Sequence, residues 1–482
     1  MVRALAIDVG TSSVRTAVVD ADGVVSHTYR RPLSIRTSYP GEVELDADEI
    51  TRLTLELAAR TLHDQSCDVV GVTNQRATTI VFDSRTGRAV GPALGWQDLR
   101  TVLDCLILQA EGLRLAPNQS ATKAKWLVEH SGLEARHLRF ATIETWITRH
   151  LTGGALHVTD RSNAGVTGLV DVEVNQWDER SLSVLGLDHA MMPRIVDTMG
   201  IVGAATALAG SPMITALVGD QSASLFGQSC VTEGAKITFG TGAMLDMVRG
   251  PRGPRSMTRF DSGCFPVVVR SQANVVTWGI EGIVFSAGAC IDWLRDNLAI
   301  IESANETESI AESVASSDGV AFVPALSGLG TPQWDFGARG GFFGITRGTT
   351  RAHMVRAVLE GIAQRGADLI GAAERETRRR LEEIRVDGGM SVNGFLLQSL
   401  ANFSGLRVEA SAEREATTRG AGLMALVGAG HLSLDDIERL WRPARIYEPM
   451  IGEDERLAAR QAWFDVVHRV ERTIPELSAV EF

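Results

Sequence analysis

The chain has 482 residues, 44% hydrophobic and 22% charged, enough for two to four domains with a sizeable core, which excludes an intrinsically disordered chain. Its net charge is -12. No block of Lys or Arg stands out beyond Arg378-Arg379-Arg380, which sits among Glu residues and reads as a solvated helix face, so a nucleic-acid groove is excluded.

The five cysteines, Cys67, Cys105, Cys230, Cys264 and Cys290, are odd in number and never spaced CxxC. This disfavours a disulfide framework and a zinc site and fits a reducing, cytoplasmic compartment. Met1-Val2-Arg3 runs straight into a strand pattern, so no secretory leader is expected. No apolar stretch reaches about 18 uncharged residues, so no membrane span is expected.

In chain order, residues 4–9 (ALAIDV), 14–19 (VRTAVV) and the VVSHTY run after Asp22-Gly23 predict a three-stranded meander. Ile50, Leu53, Leu57, Ala58 and Leu62 recur at helical spacing within 46–64. Residues 68–73 and 77–82 read as strands, and helical patterns follow around 100–114, 121–131 and 142–151. The segment 235–248 (AKITFGTGAMLDMV) repeats the opening strand, Gly-Thr turn and strand. Helices are predicted at 281–297, 350–374 and 394–404, and a strand ending in a glycine pair at 385–390. The long helix opens on Thr349-Thr350 as a candidate cap. Two halves that each open with a bent hairpin predict a duplicated α/β unit with a ligand cleft between them. The boundary falls near 224–234, dividing the chain into 1–229 and 230–482.

Five segments carry residues suited to chemistry. Asp8 precedes the turn Gly10-Thr11-Ser12-Ser13, with Arg15 beyond. Such a turn offers backbone donors to phosphate oxygens, and an adjacent carboxylate suits Mg²⁺ held through water. Gly240-Thr241-Gly242 is a second turn of the same kind, and two of them across a cleft suit a triphosphate. Asp387-Gly388-Gly389, running to Asn393, ends a strand and starts a helix, a place for a ribose or phosphate. Gly219-Asp220-Gln221 delivers an acid from an apolar strand to a helix start, where it can take a proton from an attacking hydroxyl. Thr73-Asn74-Gln75-Arg76 and Gly95-Trp96-Gln97-Asp98 bring amide, guanidinium and indole groups suited to polyol hydroxyls. Each segment alone also fits an ordinary turn, cap or core position. The ten histidines form no ligand cluster, and neither a G-x-S-x-G elbow nor a Walker pattern is present.

Together with SATKAKWLVEH (120–130), VTDRSNAG (158–165), SGLGTPQWD (327–335) and GITRGTTRAHMVRAVLEGIA (344–363), these segments resemble the FGGY family of carbohydrate kinases, on its glycerol-kinase branch. The resemblance covers roughly 3–430. It implies two ribonuclease-H-like domains, of the actin, Hsp70 and hexokinase type, around an ATP cleft. It implies Asp220 as catalytic base, and Asp8 and Asp220 near Mg²⁺. It places Thr11, Ser12, Ser13, Arg15, Gly240, Thr241, Gly288, Gly389 and Asn393 around ATP. Arg76, Trp96, Asp220 and Gln221 match polyol-pocket positions, as do three departures from the glycerol pattern. Ala77 stands where a Glu is usual, Asn118 where a Tyr is usual, and Met244 where an aromatic is usual. These losses predict a larger pocket, favouring a four- or five-carbon polyol or a ketose over glycerol, with a true glycerol kinase as the alternative. The stretch 203–213 (GAATALAGSPM) has no Lys or Arg where relatives bind fructose 1,6-bisphosphate, so that feedback is not expected. Relatives commonly form dimers or tetramers, so the same is expected here. A non-catalytic sugar or nucleotide sensor, and an Hsp70-like or actin-like ATPase, are weighed against by the retained acid and polyol residues.

Overall fold

The computed structural model describes residues 2–413 and 415–481. Two mixed sheets share one plan. In the first, β1 (Arg3–Val9), β2 (Ser13–Asp20) and β3 (Val25–Pro32) form the expected antiparallel meander. Helix α1 (Ala47–Asp64) leads to β4 (Val69–Asn74), which runs parallel to β1. After β5 (Met199–Ala204), β6 (Met213–Gly219) runs parallel to β4, giving the order β5-β6-β4-β1-β2-β3.

Helix α2 (Asp220–Gly227) ends this unit. The second sheet opens on β7 (Ala235–Phe239) and β8 (Ala243–Gly250), followed by β9 (Phe265–Gln272) and β10 (Val275–Val284). Helices α3 (Gly288–Asp296) and α4 (Arg351–Thr377) precede β11 (Glu383–Asp387), then α5 (Gly394–Ser404), β12 (Arg407–Ser411), α6 (Ala416–Gly428) and β13 (Pro443–Tyr447). The order is β9-β10-β8-β7-β11-β12-β13, with β7, β11 and β12 parallel. Each unit thus sets an antiparallel meander beside two parallel strands, the ribonuclease-H-like plan that the resemblance implied.

Helices cover both faces of the first sheet, which is why β1 is apolar without alternation, Ala4 to Ile7 being wholly buried. Helix α1 starts where Asp46 accepts from the backbone N–H groups of Asp48 and Glu49, and it buries Ile50, Leu53 and Leu57. On the opposite face lies α6, whose Ala421, Met424 and Ala425 join one core with Ala4, Ala6, Ala216 and Val218. A Cβ on Gly71 of β4 would stand 2.2 Å from the Ala421 carbonyl, so only glycine lets α6 lie on that strand. A division at 229/230 therefore parts α6 from the sheet on which it packs.

Two sequence expectations need correction. Residues 281–284 finish β10, and the helix begins only at Gly288. The β-branched and aromatic run Val275-Val276-Thr277-Trp278 and two glycines favour strand, which outweighs the apolar spacing. The strand expected over 77–82 covers Ile80–Asp83, because Ala77 turns the chain at φ 60°. Thr350 caps α4 as expected, its N–H and hydroxyl meeting Nδ1 of His353 at 3.2 and 3.3 Å.

Candidate active site

Parallel strands gather side chains at their C-terminal ends, where α/β proteins bind ligands. In the first sheet Asp8 pairs with Thr73, Val9 and Gly219 both pair with Asn74, and the chain then continues into Arg76 and Asp220. Three adjacent strands thereby deliver Asp8, Arg76 and Asp220 to one place.

Asp220 is the first residue of α2, where the helix dipole favours a carboxylate. Its Oδ1 accepts from the Gln221 N–H at 2.8 Å and lies 3.3 Å from Arg76 Nε. Burial raises its pKa, and the Arg76 charge works against that rise. The other face of the Arg76 guanidinium meets Glu281 Oε2 of β10 at 2.5 Å, so this arginine ties the two halves together. A Cβ on Gly219 would lie 2.6 Å from Arg76 Cδ; glycine leaves room for the arginine to cross.

Behind Asp220 lies a polar relay. The Gly219 N–H donates to Ser162 Oγ at 2.8 Å, and Ser162 donates to Asp160 Oδ2 at 2.5 Å. Asp160 also accepts from Asn163, which exchanges hydrogen bonds with Asn74. The VTDRSNAG segment thus anchors the ends of β4 and β6.

Asp8 accepts from Arg15 at 3.2 Å and from Thr418 Oγ1 of α6 at 3.0 Å. Burial pushes its pKa up to about 6, with Arg15 and Thr418 opposing and the Asp220 charge adding to the rise. Two carboxylates within electrostatic reach are the donor set that Mg²⁺ takes when waters and phosphate oxygens complete its shell. Among the described residues no group of three or more His, Cys, Asp or Glu could hold a metal. Arg15 also pairs with Glu415, so its Nη1 is shared between two carboxylates.

Both Gly-Thr turns are present. In the first, the Gly10 N–H donates to the Ser13 carbonyl at 3.0 Å, and the Trp96 indole donates to Thr11 Oγ1 at 3.2 Å. Trp96 therefore joins the expected polyol position to the expected phosphate turn, while Ser12 lies exposed at the tip and Ser13 is buried, its hydroxyl taking a bond from Arg30. In the second turn, the N–H groups of Gly288 and Ala289 donate to the carbonyls of Gly240 and Thr241. This docks the start of α3 on the turn. A Cβ on Gly288 would sit 2.6 Å from the Gly240 carbonyl, and one on Gly242 2.4 Å from that of Val284. The Thr241 side chain stays exposed.

At the end of β11, Gly388 has φ 90° and no room for a Cβ, whereas nothing stands within 4 Å of the Cβ position of Gly389. The chain is open there for a ligand. Asn393 is used otherwise. Its oxygen caps α5 by accepting from the Leu396 N–H, and its nitrogen donates to Thr307 Oγ1. The structure gives it a scaffolding part that the sequence reading assigned to the ligand.

The three departures fall in different settings. Ala77 is buried and its carbonyl is held by Ser120 and Thr79. Asn118 is exposed and Met244 half-buried. A cavity of about 500 Å³ is lined by Gln119, Arg114 and Met257, beside Asn118.

Sequence reasoning missed Lys236, Asp246 and Glu281, three buried charges clustered behind Arg76 and Asp220. A signal was present: Lys236 and Glu281 are each the single charge of an otherwise apolar strand, and Asp246 interrupts the apolar start of β8, and buried charges are rare unless paired. No described helix is long and apolar enough to cross a membrane.

Residues 3–227 match the model of the N-terminal domain of the FGGY family of carbohydrate kinases, and residues 235–429 that of its C-terminal domain. The chain is 39% identical to a glycerol kinase of Aromatoleum aromaticum over 96% of its own length and 98% of that protein. It is 36% identical to a glycerol kinase of Deinococcus radiodurans over 96% and 97%. The crystal structure of Plasmodium falciparum glycerol kinase with ADP superposes with a TM-score of 0.90 at 26% identity, covering 100% of this chain and 99% of that one. A xylulose kinase from Lactobacillus acidophilus shares the fold, with a TM-score of 0.87 at 20% identity over 99% of both chains. The duplicated sheets, the acid at the head of α2 and these likenesses lead to one conclusion: the chain belongs to the FGGY family of carbohydrate kinases and is a phosphotransferase.

Proposed function

We propose that the protein transfers the terminal phosphoryl group of ATP to a hydroxyl of a small polyol, with glycerol as the favoured acceptor. The observation that carries the reading is the convergence of Asp8, Arg76 and Asp220 at the ends of β1, β4 and β6. The full-length likeness to curated glycerol kinases supports glycerol over a larger acceptor. The larger-acceptor reading rests on Ala77, Asn118 and Met244, and it is the second reading.

Each residue has a task. Asp220 takes the proton of the attacking hydroxyl; burial raises its pKa toward that of a proton acceptor, and the Arg76 charge opposes the rise. Arg76 holds the acceptor oxygens on one side and Glu281 on the other. The backbone donors of the Gly10–Ser13 and Gly240–Gly242 turns hold phosphate oxygens. Asp8 and Asp220 are the residues that would hold Mg²⁺, which when bound neutralises charge on the phosphates. Closure of the halves excludes water and limits futile hydrolysis.

Coupled ADP release with glycerol, erythritol, xylitol, ribitol and ketopentoses tests this. The highest kcat/KM is expected for glycerol. A clear preference for a four- or five-carbon acceptor overturns the glycerol reading in favour of the second. Turnover on none of them overturns both.

A further inference from the structure

Lys236 of β7 is wholly buried, and the mechanism above does not use it. Its Nζ has three polar neighbours, one ion-pair partner and two hydrogen-bond acceptors. Asp246 Oδ2 of β8 lies 2.9 Å away, Thr238 Oγ1 2.7 Å and Gln221 Oε1 2.7 Å. Lys236 and Asp246 are direct cross-strand partners, so the ion pair is built into the register of the hairpin that carries the second Gly-Thr turn. Burial alone would lower the lysine pKa, but the nearby charges of Asp246 and Asp387 outweigh it, and Lys236 stays charged.

An ammonium group donates and never accepts. Only the oxygen of the Gln221 carboxamide can therefore face it, and Nε2 must point the other way. Gln221 is half-buried beside Asp220 in the first turn of α2, and Nε2 makes no hydrogen bond to any described residue. The carboxamide so held offers the cleft a donor next to the catalytic acid. A glutamine without such a neighbour turns either end to the ligand at little cost.

We propose that Lys236 is a positioning residue that locks the Gln221 carboxamide with its N–H₂ group toward the acceptor, and that Asp246 is the counter-ion that maintains the lock. This end of the pocket then takes only a substrate oxygen with a free lone pair, a hydroxyl or a carbonyl. It disfavours a protonated amine in that place, which has none. The inference rests on the acceptor-pocket reading given above.

The test measures KM and kcat for glycerol at saturating Mg-ATP, with thermal melting as a control on folding. Gln221→Glu keeps a partner for Lys236 and removes the donor, so KM is expected to rise about ten-fold, the loss of one hydrogen bond to the acceptor. An unchanged KM would mean that the carboxamide presents its oxygen, and would overturn the proposal. Removing the lysine alone strands a buried carboxylate, so the second variant is Lys236→Met with Asp246→Leu, which replaces the whole pair. It is expected to raise KM several-fold with little change in kcat, and to add nothing when Gln221→Ala is already present. Independent, multiplying losses would overturn the lock. With 3-amino-1,2-propanediol and serinol as probes, the Met/Leu variant is expected to discriminate less against the amine than the parent does. If Gln221→Ala itself leaves KM unchanged, or glycerol is not turned over, the acceptor-pocket reading falls as well. If Gln221→Ala raises KM without coupling to Lys236, only the lock falls.

Discussion

Arg76 Nε stands 3.3 Å from Asp220 Oδ1, while Nη2 of the same guanidinium meets Glu281 across the boundary between the halves. One side chain thus links Asp220 to the second sheet. The placement of Asp220 therefore involves a chain of contacts that exists only when both halves are in place.

Asp220→Asn separates chemistry from folding. The amide keeps the shape and loses the base, so kcat is expected to fall about 10²–10⁴-fold. The melting temperature should hold or rise, because burial already disfavours the charged acid. ADP release and a thermal melt on the same sample check both, and near-parental kcat would remove Asp220 from its assigned role.

Arg76→Met leaves Glu281 buried without its cation. Stranding one member of a buried pair costs about 3–5 kcal/mol. Adding Glu281→Gln should recover much of the lost melting temperature and none of the lost kcat/KM, since the acceptor contact is still missing. Joint recovery would mean that Arg76 serves stability alone.

Gly420→Ala probes the crossing of α6 over α2. Its Cβ would lie 1.8 Å from the Ala223 carbonyl, and that of Gly227 1.9 Å from the Ala416 carbonyl. Overpacking of this kind costs roughly 3 kcal/mol or more. Because α2 begins with Asp220, kcat is expected to drop along with the melting temperature. An unchanged melt would show that the helices part freely.

Glu144 and Asp160 give the pH dependence a sign. Burial is the first cause that raises each of them, and the charge of Asp160 adds to the rise at Glu144. Below neutrality the folded chain holds protons there that the unfolded chain releases until about pH 4. Their part of the stability is therefore lacking above neutrality and returns as the pH falls through that window. Glu144→Gln should flatten the difference in melting temperature between pH 5.5 and 7.5. A difference as large as the parent's would assign it to other groups.

Much of the architecture could be read from the chain. The first meander and the opening hairpin of the second sheet stood out because their apolar runs are broken by Gly-Thr and Asp-Gly turns, and turn chemistry is local. Asp8, Arg76 and Asp220 were legible for a similar reason, since each lies at the end of an apolar strand. Only the start of the helix placed over 281–297 failed, because Glu281 and its apolar neighbours have helical spacing, while pairing of β10 with β8 and β9 decides in favour of strand up to Val284 and the helix follows from Gly288.

The sequence by itself determined the duplicated unit, the two Gly-Thr turns and the candidate base, because these follow from periodicity and turn residues within a few positions. Only the tertiary structure decided that Asn393 is tied to Thr307, that Arg15 is shared by Asp8 and Glu415, and that Lys236 holds Gln221. Those outcomes join residues up to 400 positions apart, as Arg15 and Glu415 are. A charge or a carboxamide declares its part only when the fold shows which groups are left to satisfy it.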